Sequence, residues 1–323
     1  MTSSELETPS LDTARRLAED GDLDGAAAIL AELAAVPGGP DVAQAAVGLA
    51  VVLDQRGDVE EARAAARTAL ATGHPEFAAQ AACHLAQGFE REGRLGQARG
   101  AWQAVLGVGT PAYLPLAHLA LARLAAQNEE FDAAEAELRA AIDAGYAIAP
   151  GHGTDGAGRT IVPGGGAGHG IDGAGLAIAP GDGPGPAAGR AGTEAAGGRE
   201  RATGADVRVH ATEQLADLLL ERGDPGEAAA VLLDALEYSW GDDAARLRVQ
   251  LGIAHLELAC AEFAGAVEDG GDARTSALAI ELLARTLPLR GRADDAQQVW
   301  AYGLEHEDEV LSSEVRLRYD RDA

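Results

Sequence analysis

The chain has 323 residues, with 52 carboxylates against 25 arginines, no lysine and a formal net charge of −27. That excess repels a nucleic-acid backbone, and the missing lysine excludes Schiff-base chemistry and a phosphate-binding P-loop lysine. Aromatics make up only 4% of a chain rich in Ala and Leu, which suits helices packed closely through small side chains.

Residues 1–10 mix acids and hydroxyl residues without a basic or apolar region, and no run reaches transmembrane length. A cytoplasmic protein without leader or anchor is therefore expected. Cys83 and Cys260 lie far apart in sequence, which argues against a disulfide framework and for a reducing compartment.

Along the chain a turn element recurs at Gly21, Gly57, Gly93, Glu129, Gly223, Ala259 and Gly291. Five residues after each stands an alanine: Ala26, Ala62, Ala98, Ala134, Ala228, Ala264 and Ala296. The spacing fits a period of 36 residues, except for the 94 residues from Glu129 to Gly223 and the 32 from Ala259 to Gly291. Before the turn comes an apolar stripe with a small residue inside it: Leu49-Ala50 with Leu53, Leu85-Ala86 with Phe89, Leu215-Ala216 with Leu219, Leu283-Ala284 with Leu287. Each unit thus predicts two antiparallel helices, approaching one another over small side chains. A unit that cannot bury its apolar face alone must stack on its neighbours.

In the fourth unit Ala125 stands where a bulky residue is expected, and its first helix can also be read two residues earlier, on His118-Leu119-Ala120. The sixth is shortened, with a turn at Ala259 and a second helix near Glu262 to Asp269 ending at Gly270-Gly271. Between the fourth and fifth units, 94 residues separate Glu129 from Gly223, one period plus 58. Residues 147–204 supply the excess with 19 Gly and five Pro, too few large apolar groups to offset the entropy of ordering, so a disordered insertion is expected. Within it Ala147-Ile148-Ala149-Pro150-Gly151 recurs as Ala177-Ile178-Ala179-Pro180-Gly181, which reads as duplicated low-complexity sequence or as a motif presented twice. The G-x-G-x-x-G at Gly151, Gly153 and Gly156, and again at Gly168, Gly170 and Gly173, lacks the strand and helix a dinucleotide site needs. Its single His and Asp per copy fall short of a metal site. The tail from Glu307 to Tyr319 predicts a polar capping helix.

The repeating pattern resembles the tetratricopeptide repeat family, whose motif runs Leu-Gly-x-x-Tyr, a turn, Ala-x-x-x-Phe, then Pro. Leu251-Gly252 matches it literally, and Ala98-x-x-x-Trp102 and Ala296-x-x-x-Trp300 match its second half. The period here is 36 rather than about 34 residues, and Pro75 and Pro111 fall one place late. The resemblance implies an all-α helical-repeat solenoid, a right-handed superhelix of antiparallel helix pairs. Four repeats would occupy 1–146, three more 205–306, and a capping helix with its tail 307–323.

It also implies a concave groove lined by the first helix of each repeat. The second unit would contribute Gln44, Val47, Val51, Asp54 and Gln55, and the third Gln80, Cys83, Gln87, Glu90 and Arg91. The fourth gives Leu116, Leu119, Arg123 and Gln127. After the insertion come His210, Glu213, Asp217, Leu220 and Glu221, then Arg246, Val249, Ile253, Leu256 and Glu257, and finally Glu281 and Arg285. Family members that clamp a terminal carboxylate use Lys, Arg and Asn on this face. Here Lys is absent and the one asparagine, Asn128, sits at a turn.

Glu213, Asp217 and Glu221 recur every four residues and so stack three carboxylates on one helix face, either as a solvated face or as a seat for an Arg- or Lys-bearing peptide. Trp102 and Trp300 read as core, Cys83 as an inert small residue in the groove, and Trp240 as an exposed contact. No two of the eight histidines fall within one helix turn, and H-E-x-x-H, G-x-S-x-G and C-x-x-C are all absent. No catalytic residue, cofactor or metal is therefore expected. The function expected is a non-enzymatic scaffold binding a basic or mixed polar protein or peptide, with no nucleic acid and no membrane. A peptide-responsive regulator acting through a bound partner is the alternative, and an enzyme with a site assembled across repeats a remote one.

Overall fold

The computed structural model describes residues 10–148, 153–154, 160–161 and 204–321. Over these residues the chain is an all-α helical-repeat solenoid, divided into two compact units between Ala211 and Thr212. The first unit opens with α1 (Leu11–Glu19), α2 (Leu23–Ala34), α3 (Val42–Arg56) and α4 (Val59–Ala71). It continues with α5 (Pro75–Arg91), α6 (Leu95–Val108), α7 (Leu114–Gln127) and α8 (Phe131–Ile148). Consecutive helices pack on one another throughout.

The turns follow from backbone sterics. Gly21, Gly57 and Gly93 adopt φ values of 85°, 89° and 71°, the left-handed conformation that glycine takes without penalty. Glu129 takes the same place at φ 60°, the one non-glycine with positive φ among the described residues. Reversal brings the following alanine against the preceding helix, and Ala26, Ala62, Ala98 and Ala134 are all buried. Ala98 shows the packing: Ala82, Ala86, Ala117 and Ala120 let the helices close in around Trp102, Val105 and Leu124. Trp102 is core, as its position implies, and its Nε1 donates to Glu90 at 2.7 Å. In α7 Leu121, Ala122 and Ala125 of the regular period are buried, as is Ala120 of the alternative register.

The second unit comprises the C-terminal part of α9 (Gly204–Glu221), followed by α10 (Pro225–Leu236) and α11 (Gly241–Glu268). It ends with α12 (Ala273–Thr286), α13 (Ala293–Leu304) and α14 (Glu309–Tyr319). Gly223 and Gly291 make the expected left-handed turns, and Ala228 and Ala296 are buried after them.

The turn expected at Ala259 does not form. Instead α11 runs through it for 28 residues, about 42 Å at 1.5 Å per residue. From Leu256 to Ala264 there is neither Gly nor Pro, and Leu, Glu and Ala, which favour helix, dominate. Nothing interrupts the backbone until Gly270 adopts φ 64°. The stretch expected to fold back as a second helix, Glu262 to Asp269, therefore extends the first, and Ala264 is only half-buried.

The terminal helix α14 forms where a cap is expected. It buries Leu311 and Val315 on Ala277 and Ile280 of α12. Its outward face is less polar than expected, because Val310 and Leu317, seven residues apart, are both exposed. Trp300 is partly buried beneath it, edge-on to Tyr319 with ring centroids 5.2 Å apart. The disorder expected of 147–204, with its duplicated motifs, lies outside the described residues. Exceptions are the helix ends at 147–148 and 204 and a two-residue antiparallel pairing of Gly153–Thr154 with Thr160–Ile161.

Candidate functional site

Successive first helices present side chains at intervals of three and four residues, so one face of each carries the residues expected to line a groove. On α3 and α5, Gln44, Val51, Asp54, Gln80, Gln87 and Glu90 are partly exposed, and Arg123 on α7 is exposed. Val47 and Cys83 do not belong to this face. The alanines around them let neighbouring helices close over both, and they are 9% and 5% exposed. Val47 packs with Ala46, Ala50 and Ala66, whereas Cys83 packs with Ala82, Ala86 and Trp102. Burial pushes the Cys83 thiol up to about 12, which makes it inert at neutral pH.

The charged members of the face are largely paired with the next repeat along. Arg91 reaches Asp54 at 2.7 Å, and Arg123 pairs with Glu90, the carboxylate that also accepts from Trp102. Away from the face, Arg63 is buried between Glu60 and Glu92 with its guanidinium 5.0 Å over the Phe89 ring. Hydrogen bonding from Arg63 holds the Glu92 carboxyl below its ordinary range. In the second unit Arg246 lies 3.3 Å from Glu213, Gln250 donates to Asp217 at 3.2 Å, and Arg290 lies 2.7 Å from Glu257. An acid on one first helix thus meets a cation or amide about one period later. Exposed pairs of this kind contribute at most about 1 kcal/mol each, so their effect is chiefly on the register between repeats.

In the row Glu213, Asp217 and Glu221, the first two members have partners on α11. Glu213 is half-buried with a cation beside it. Repulsion persists at Asp217, whose carboxyl is raised first by partial removal from water, then by Glu213 and Glu221. Val249 is 66% exposed one turn before the half-buried Ile253. His210 is exposed on α9. Glu281 departs furthest from expectation: it is 6% exposed and surrounded by Arg285 at 2.7 Å, Arg318 at 2.8 Å and Arg321 at 3.2 Å. Burial alone would raise its carboxyl, but Arg318, Arg285 and Arg321 outweigh it and hold the group low. It anchors α14 and is not open to a ligand, whereas Arg285 is exposed.

A second concavity was not foreseen. Beside the C-terminal half of α11 lies an open cavity of about 720 Å³, floored by Leu283 and Leu287 and walled by Cys260, Ala264, Val299 and Tyr302. It lies where α11 runs on past Ala259, and the sequence signal for that unbroken helix is the absence of Gly and Pro there. Among the described residues no group of three or more His, Cys, Asp or Glu could hold a metal ion. Nor is any helix among them long and apolar enough to cross a membrane.

These helix pairs, with a left-handed residue between them and an alanine seated after it, have counterparts among known proteins. Residues 11–81 and 83–151 match the tetratricopeptide repeat family. Within residues 11–151 the chain carries tetratricopeptide repeats. It is similar to the crystal structure of a tetratricopeptide repeat protein from Parabacteroides merdae ATCC 43184, at 13% identity over 96% of this chain and 97% of that one, with a TM-score of 0.41. It is similar also to BtubC (BKLC) from P. vanneervenii, at 13% identity over 96% and 88% of the two chains, with a TM-score of 0.40. No curated protein matches the sequence.

Proposed function

We propose that this protein is a non-enzymatic cytoplasmic scaffold that holds a basic or mixed polar segment of a partner protein along its first helices. Tetratricopeptide repeats are in general protein–protein interaction modules, and the chemistry of this face supports that use. The observation that carries the reading is the pairing of its charges between repeats, Asp54 with Arg91, Glu90 with Arg123 and Glu213 with Arg246. Paired charges stay within hydrogen-bond reach of a ligand yet hold their rotamers, so a bound segment loses little to side-chain ordering. Between them Val51 and Val249 offer apolar contact, and the net charge of −27 favours a basic partner.

Photocrosslinking in cells tests this directly. A photoreactive residue at Val51 should capture the same partner as one at Arg123 in the same unit, and rising salt before irradiation should reduce the yield. A photoreactive residue at Ala230 or Ala301, exposed on the second helices, should capture nothing in common with them. Equal capture from both sets of positions sinks the reading.

A further inference from the structure

We propose that the cavity beside α11 is a second binding site, which takes an amphipathic helix with a small apolar stripe and basic flanks. In every other pair with a left-handed turn, the chain after the turn folds back as a second helix. In α11 it runs straight on, and beside it lies an open slot of about 720 Å³.

The slot has the form of a helix seat. One wall carries Cys260, Ala264 and Val267 from α11, the other Val299 and Tyr302 from α13, each set at the three- and four-residue spacing of a single helix face. Between Glu257 and Glu268 the α11 wall runs about 17 Å, the length of three helical turns. Val299 is partly exposed and Tyr302 is 52% exposed, while Cys260, Leu283 and Leu287 are buried in one cluster beneath them.

The charge at one end selects the occupant. Glu268 lines the slot, Asp269 follows it, and neither has an ion pair among the described residues. No basic residue stands in the last turn of α11, so the negative end of its helix dipole adds to both carboxylates. At the other rim Glu257 and Asp295 are neutralised, by Arg290 and Arg292 at 2.7 Å each. An arginine or lysine flanking the apolar stripe of a partner helix would meet unsatisfied charge there. A second copy of this strongly acidic chain would not. Leu220 and Glu257 of the first-helix face also line the slot, but it includes none of the charge pairs on which the proposal above rests.

The test uses the full chain and a fluorescent peptide of about 14 residues with Ala and Leu on one helical stripe and Arg on the other, beside a twin with Glu for Arg. Anisotropy should show the basic peptide binding and the acidic twin binding at least about tenfold more weakly. Ala261→Trp, at an exposed position on the slot wall, should weaken the basic peptide about tenfold or more while the melting temperature holds. Ala301→Trp, exposed on α13 but outside the slot, should leave binding unchanged. Glu268→Gln with Asp269→Asn should weaken the basic peptide about threefold and bring its affinity towards the twin's. No binding, equal binding of the twin, or full binding by Ala261→Trp overturns the proposal. So does a wild-type dimer in sedimentation that Ala261→Trp converts to monomer, because the slot would then belong to a second copy.

Discussion

Arg318 on the terminal helix lies 2.8 Å from Glu281 on α12, 37 residues earlier in the chain. The pair joins the end of the second unit to its interior: Glu281 is buried and Arg318 mostly so, with Leu311 and Val315 packed beside them. Removing one partner from such a pair leaves a buried charge short of compensation. Arg318→Met should cost about 1–3 kcal/mol, moderated because Arg285 and Arg321 still face the carboxylate. Urea denaturation followed by tryptophan fluorescence checks this, since Trp300 packs against Tyr319 of the same helix.

The pH response should carry two opposite contributions. Glu281 is held below its ordinary pKa, so its stabilisation is complete above about pH 4.3 and is lost as pH falls through the depressed value. Asp217 is raised, so its cost is present above its folded pKa and disappears as pH falls towards the ordinary value of about 3.9. Denaturation midpoints measured from pH 7 to pH 3 should show Glu281→Gln flattening the acid-side loss and Asp217→Asn flattening the small gain that precedes it.

Unbroken helix at Ala259 makes a prediction that separates it from a turn. Ala259→Pro removes an interior hydrogen bond and places the ring against the preceding turn, at a cost of about 3 kcal/mol or more. Far-ultraviolet circular dichroism and thermal melting should both register the loss. Were residue 259 in a turn, the same substitution would change neither by much.

Glu129 takes up a glycine's conformation at φ 60°. Glu129→Gly should relieve the left-handed strain and stabilise the first unit by up to about 1 kcal/mol, the strain relief exceeding the added chain entropy. A calorimetric melting temperature that falls instead would mean the glutamate side chain contributes more than its backbone costs.

Within the acidic row, single substitutions should differ in sign. Asp217→Asn keeps an acceptor for Gln250 and removes repulsion, a gain of about 0.2–0.5 kcal/mol. Glu213→Gln removes the charge beside Arg246, a loss of about 0.2–1 kcal/mol. Urea midpoints of the two variants, measured at low salt where such effects are largest, check the pair.

The repeat was legible in the sequence because each of its signals is local. A glycine at the turn reports positive φ, an alanine five residues later reports close helix approach, and together they place every helix pair but one. The exception at Ala259 had its own local sign, the lack of a breaker, which periodicity alone passes over. Candidate face residues were legible only in part. Position along a first helix tells which way Val47, Cys83 and Glu281 point, but how far the next helix closes over them depends on packing between repeats, and all three are buried. Pairing is likewise tertiary: Asp54 meets Arg91 and Glu213 meets Arg246 because stacking brings side chains one period apart within reach. The apolar slot beside α11 belongs to the tertiary structure in the same sense, since a cavity is made by what its neighbours fail to fill.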